Sequence, residues 1–309
     1  MEFYRKLQLK QTASGLGFYI FAMQITMYVI AISGLTASIL SASSYDTTVS
    51  LLLDNIVSII SIFFIGLFYC ALSKTNLQKT IPIKKVSGKL LINLVFISLS
   101  VAFISDYITE IFLTNVSIFG IHNNVSLEFS TNNYIENILY VISVALIPPL
   151  VEEFAFRGII LHKLREYGDT FAVLISALLF GLVHGNIVQI PFAFIVGIAL
   201  GFVTIKANSL IPAMITHFII NFSSVLITIL NDNKILNENL IETFYIGFIL
   251  IVVIGAIFSA IRLAKNKRFF TLDTYAEISF KDRVKTVFSS TGIIFVLVVT
   301  LIEIIISVG

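Results

Sequence analysis

Six polar side chains set in three otherwise apolar stretches are the part of this 309-residue sequence equipped for chemistry. In PPLVEEFAFRG, Glu152, Glu153 and Arg157 stand together. On a helix, Glu153 and Arg157 are i and i+4 and share a face, so they can pair, whereas Glu152 is turned about 100° away and stays outside that pair. The two carboxylates therefore differ: Glu153 is a cation's partner, and Glu152 is free to take a proton from water. Pro148 and Pro149, one turn earlier, remove backbone donors and invite a kink through which water can reach this level. In FGLVHGN, His184 lies four residues after Phe180, and in THFIINF, His217 and Asn221 have the same spacing, so each pair shares a helix face. Each stretch also has a plain packing interpretation: an ion-pair lock with a spare Glu, a hydrogen-bonded histidine, polar glue between helices. Polar groups that deep need partners, and these three clusters are the ones available to one another. Brought together, a carboxylate base, two imidazoles and a carboxamide can activate water and stabilise an oxyanion, which is what amide hydrolysis requires.

The elements that must position them are membrane helices. Hydrophobic residues make up 57% of the chain and charged ones only 12%, where about 25% is usual in a soluble domain. Apolar windows at or beyond the length that crosses a bilayer recur near 15–40, 51–73, 90–114, 134–161, 170–188, 190–206, 209–230, 242–262 and 286–308. The expected fold is all-α: one polytopic membrane domain over 1–309 with about eight to nine transmembrane helices, a core of four helices over 134–230 and flanking helices over 1–133 and 231–309. With nine crossings and the N-terminus on the cytoplasmic side, every Lys and Arg except Lys234 falls inside, the asymmetry of a cell-membrane protein. The first apolar run, from about Gly15 to Leu40, is too long for a signal-peptide core and is expected to be a membrane helix.

The remaining polar positions point away from chemistry. Asp54, Asp106, Glu110 and Glu303 lie toward the outer ends of their helices, where an interfacial place is expected; His122 falls in an outer loop and His162 just past an inner helix end. The inner segment 269–285 suits an interfacial helix or an ordinary loop. A single cysteine, Cys70, excludes an internal disulfide and any multi-cysteine metal site. No basic patch with interleaved aromatics is present, so nucleic acid is not an expected partner; the expected partners are the lipid bilayer and a peptide or protein substrate.

Taken in order on separate helices, Glu152-Glu153-x-x-x-Arg157, Phe180-x-x-x-His184 and His217-x-x-x-Asn221 resemble the motif set of the CAAX-protease and bacteriocin-processing family. The resemblance covers about 134–230. It implies an intramembrane glutamate-type endopeptidase without a cofactor, in which Glu152 and His184 activate the attacking water, His217 and Asn221 form the oxyanion hole, and Glu153 and Arg157 support the site. Three other functions stay open. Zn²⁺ could sit on Glu152, His184 and His217, since two His and a carboxylate form a known catalytic zinc set; the pocket could belong to a non-catalytic scaffold or bacteriocin-immunity factor; or the polar cluster could be a transporter's ion site. Richness in Ile, Asn, Lys and Phe without Trp points to an AT-rich bacterium, where a leader or signalling peptide is a more natural substrate than a prenylated protein.

Overall fold

The computed structural model describes residues 2–32, 46–117, 133–274 and 277–308, and over these the chain is helical. The far end of the first expected crossing, most of the Asn- and Ser-rich outer loop with His122, and positions 275–276 lie outside the described residues. Among the described residues, seven helices are long and apolar enough to cross a bilayer: α1 (Glu2–Ile30), α2 (Thr47–Leu72), α3 (Gly88–Val116), α4 (Tyr134–Tyr167), α6 (Gln189–Ala207), α7 (Ile211–Asp232) and α8 (Glu238–Ala264), with α5 (Asp169–Val183) between α4 and α6. The chain is thus an all-α, multi-pass membrane protein. Helices dominate because a chain in lipid must satisfy its backbone N–H and C=O groups internally.

Two of the nine expected crossings differ. The fifth, α5, has 15 residues, about 22 Å at 1.5 Å per residue, short of a hydrocarbon layer of about 30 Å. The apolar run continues past it, but the backbone does not: Gly185 takes φ +64°, a left-handed conformation that favours glycine, and ends the helix. The ninth is broken into α9 (Phe280–Phe288) and α10 (Thr291–Val308), bent by 68°. At the break the Ser289 and Ser290 hydroxyls donate to the carbonyls of Thr286 and Val287, local bonds that compete with continuation of the helix. Counting the bent pair as one span gives eight.

Within 269–285, the part from Phe280 onward is helical. The Ser279 hydroxyl accepts from the Asp282 amide and caps α9. Arg5 pairs with Glu277 at 2.8 Å and Lys6 with Asp282 at 3.2 Å, tying the start of α1 to α9.

The first and last helices run parallel and touch backbone to backbone. A Cβ on Gly17 would collide with the Gly292 main chain, and one on Gly292 with the main chain of Ser14 and Phe18. Small residues are what allow membrane helices so close an approach. Gly292→Val is expected to push α1 and α10 apart and destabilise the fold by about 1–3 kcal/mol. Cys70, 2% exposed and the chain's single cysteine, is the reporter: in detergent, its labelling by a fluorogenic maleimide should begin at a lower temperature in the variant. An unchanged labelling midpoint would contradict the contact.

Half-way along the chain lies the most enclosed part of the protein. The second half of α4 buries Phe156, Ile159, Ile160 and Leu161 to within 1% of full enclosure, walled by residues of α1, α2 and α5. α5 and α6 pack closely in front of it, where a Cβ on Gly197 would sit 3.0 Å from Ala177. Charges placed in this region are shielded from lipid by protein.

Candidate active site

α4 is not a uniform α-helix. It widens into π-helical turns at Val141–Leu146 and again at Phe154–Ile160, on either side of the segment Ile147–Glu153 that carries the two carboxylates. Pro148 and Pro149 stand at the start of that segment, where the rings can neither donate a hydrogen bond nor tolerate the preceding turn's carbonyls, so the ladder opens just before them. The expected kink is thus a change of helical register. Such π turns re-aim the side chains that follow, and here they set Glu152 and Glu153 toward different neighbours.

Glu153 and Arg157 pair as their spacing requires, with Arg157 Nη1 3.0 Å from Glu153 Oε1 and the side chains 1% and 0% exposed. The guanidinium is held from three sides. Its Nη2 donates to the Gly197 carbonyl on α6 at 3.3 Å, and its carbon lies 4.3 Å above the Phe180 ring of α5. Arg157 therefore joins α4, α5 and α6 at one point. Lysine, a single point charge, could not replace this planar fork.

Glu153 also makes a contact that the spacing did not indicate. Its Oε1 lies 3.0 Å from Nδ1 of His217, a residue 64 positions later on α7. A carboxylate accepts only, so Nδ1 carries the hydrogen and the ring is oriented by that bond. The other ring nitrogen, Nε2, then faces Glu152, whose Oε2 is 3.9 Å away. That gap exceeds a direct hydrogen bond and suits a bridging atom. Glu152 is 20% exposed in its side chain against 0% for Glu153, so of the two it is the carboxylate that water can reach.

Phe180 links the two histidines. The His184 ring meets it edge to face at 5.0 Å between centroids, and the His217 ring at 6.0 Å. His184 follows the last residue of α5, and its Nδ1 lies 2.8 Å from the Phe180 carbonyl. A carbonyl also accepts only, so Nδ1 bears the hydrogen and Nε2 is left as an acceptor. Asn221, one turn beyond His217, donates Nδ2 to the Val144 carbonyl at 2.9 Å, inside the first π turn of α4. The amide has a second N–H hydrogen that this bond does not use.

The six residues singled out from the sequence thus fall around one region. Glu153 contacts both Arg157 and His217, and His217 approaches Glu152; His184 joins them through Phe180, and Asn221 through α4's backbone. Among the described residues, His184 and Asn221 make no hydrogen bond to Glu152, and no three His, Cys, Asp or Glu side chains are grouped as ligands of one metal ion. Of the four carboxylates expected at interfaces, Asp54, Asp106 and Glu110 are exposed, but Glu303 is half-buried and bonded to α1. His162, expected to be solvated, is also partly buried.

Residues 134–223 match the family model described as Type II CAAX prenyl endopeptidase Rce1-like. No curated protein and no solved structure matches the chain. The matched segment runs from the start of α4 to just past Asn221 and contains the whole cluster, while α1 to α3 and α8 to α10 lie outside it. That match, made over the very helices that hold the two glutamates and two histidines, supports membership of the CAAX-protease and bacteriocin-processing family of membrane endopeptidases.

Proposed function

We propose that the chain is a glutamate-type intramembrane endopeptidase that cleaves a bacterial leader, signalling or membrane-associated peptide at a site open to the cytoplasm, with its N-terminus on that side. The observation that carries the reading is the hydrogen-bonded pair of Glu153 and His217, which leaves His217 Nε2 directed at the free carboxylate Glu152 across 3.9 Å. Water held by Glu152 attacks the peptide carbonyl carbon while its proton passes to the Glu152 carboxylate. As the carbonyl π electrons move to oxygen, the oxyanion accepts hydrogen bonds from His217 Nε2–H, when that nitrogen is also protonated, and from the second Nδ2–H of Asn221. Collapse of this intermediate breaks the C–N bond, and the proton on Glu152 goes to the departing amine. His184, with Nε2 as an acceptor, supplies the second hold on the water. Glu153 and Arg157 act through His217: they orient its ring and balance the charge around it.

The test uses the full chain in liposomes with an internally quenched fluorogenic peptide library. The wild type should cut a subset of peptides, and Glu152→Ala and His217→Ala should cut none. Cleavage by both variants at the wild-type rate would refute hydrolysis by these residues, and no cleavage by the wild type would leave the scaffold or immunity function. Zinc chemistry on Glu152, His184 and His217 is separated from this by adding 1,10-phenanthroline or EDTA: the glutamate reading predicts an unchanged rate. A chelator-sensitive rate restored by Zn²⁺ would favour the metal.

A further inference from the structure

Glu303 lies on α10, outside the segment matched to the family, and is an ionisable group within a membrane helix, a place where function is the usual reason for bearing the desolvation cost. It is bound on one side by α1. Tyr28 Oη donates to its Oε1 at 2.9 Å, and Gln24 Nε2 to its Oε2 at 3.3 Å. On its other side is the turn that follows His184. A Cβ on Gly185 would sit 2.5 Å from Glu303 Oε2 and 2.9 Å from its Cβ, so the carboxylate fills the space a side chain at 185 would need.

The same turn is held at a second point. The Thr300 hydroxyl, one helical turn before Glu303, donates at 3.3 Å to the Leu182 carbonyl, which also accepts from the Gly185 amide at 3.1 Å. Gln24 Nε2 reaches Thr300 Oγ1 as well, at 3.3 Å. Gln24 is 2% exposed and its Oε1 has no hydrogen-bond partner among the described residues, so its amide is committed to the Glu303 and Thr300 side. From the far side, Asn186 Nδ2 donates to the His184 carbonyl at 3.1 Å.

We infer that Glu303, held by Gln24 and Tyr28, is a positioning residue that braces the Leu182–Gly185 turn and thereby fixes the imidazole of His184 in the site. The inference rests on the peptidase reading for its catalytic consequence. It also explains the close approach of α1 and α10, since their contact through Gly17 and Gly292 carries Gln24 and Glu303 to the end of α5. A helix as short as α5 has no further turn of its own to steady its last residue, so the support comes from outside.

The test is made in the full chain with Glu303→Ala and Glu303→Gln, read by amide hydrogen exchange over 182–190 and by kcat and KM on the best-cleaved peptide of the quenched library. Glu303→Ala should speed exchange of this segment about tenfold, leave the rest of α5 and α6 protected, and lower kcat about 10- to 100-fold with KM within about threefold, the cost of an ångström-scale misplacement. Glu303→Gln, which keeps the shape and one accepting oxygen, should regain most of the protection and of kcat. Unchanged exchange at 182–190 overturns the inference, as does a rise spread evenly over α5 and α6, which would mean general destabilisation. Glu152→Ala run in parallel separates the two readings. Full cleavage by Glu152→Ala refutes the glutamate-type site on which the proposed function rests; an inactive Glu152→Ala beside a normally protected, fully active Glu303→Ala refutes only the brace.

Discussion

Glu152→Gln is expected to lower peptide cleavage by about 10³-fold or more while leaving the protein folded, because general-base transfer alone contributes about 10²- to 10⁴-fold and no neighbouring carboxylate can take its place. Glu153 is the nearest other carboxylate, but it is fully enclosed and its Oε1 is already shared by Arg157 and His217. It cannot swing to the water without breaking two bonds. Glutamine keeps the size of Glu152 and can still hold water by a hydrogen bond, yet it cannot accept the water's proton. The fold should tolerate the change, since Glu152 makes no hydrogen bond that α4, α5 or α7 depends on, and its nearest ionisable contact is the 3.9 Å approach to His217. The measurement is single-turnover cleavage of a library peptide in liposomes, alongside the thermal midpoint of Cys70 labelling. A Glu152→Gln enzyme with turnover within about tenfold of the wild type would remove Glu152 from the base role.

The contrast between the two neighbouring glutamates was legible from spacing alone. Arg157 is four residues from Glu153 and five from Glu152, and on a helix only the first separation makes a face-sharing pair. His184 and His217 were legible because an imidazole within an apolar window stands out against lipid-compatible neighbours. The bond from His217 to Glu153 was not, since a contact across 64 residues depends on how α7 packs on α4, and sequence periodicity describes each helix only with respect to itself. Phe180 was visible as the residue one turn before His184, but not as the ring on which Arg157 and both histidines rest.

The number of crossings illustrates the limit from another side. Hydropathy sees 170–188 as one apolar run because His184, Gly185 and Asn186 are too few to lower the window average. The backbone is decided by different terms: a glycine free to adopt φ +64°, and an Asn186 side chain that accepts from the Gln189 amide to start the next helix. The partners of Glu303 were hidden for a related reason. Position near a helix end argues for an interface when the helix faces water or headgroups, but α10 is packed along α1, and Gln24 and Tyr28 supply the polar partners that solvent would otherwise provide.

Arg157→Met should have the largest effect on stability. Removing one partner of a fully enclosed ion pair leaves the other charge without compensation, at a cost of about 3–5 kcal/mol, whereas replacing both can be nearly neutral. Here the loss is compounded, because the guanidinium also satisfies the Gly197 carbonyl and covers the Phe180 ring, so α4, α5 and α6 lose their shared contact. Glu153 would retain His217 as its hydrogen-bond partner, and the single variant should be inactive as well as unstable, because the unbalanced carboxylate can draw the imidazole away from Glu152. The double variant Glu153→Gln/Arg157→Met distinguishes the structural part from the catalytic part. Its midpoint of thermal Cys70 labelling should recover well above that of Arg157→Met, because no buried charge remains, while cleavage should stay low, because the His217 ring has lost the carboxylate that orients it. Recovery of both together would mean that Glu153 is only a lock for the arginine; recovery of neither would mean that the pair is bound into the fold by more than its charge. The first outcome, stability without activity, is the one the shared Oε1 predicts, since a single oxygen serves both the guanidinium that holds three helices and the imidazole that faces the free glutamate.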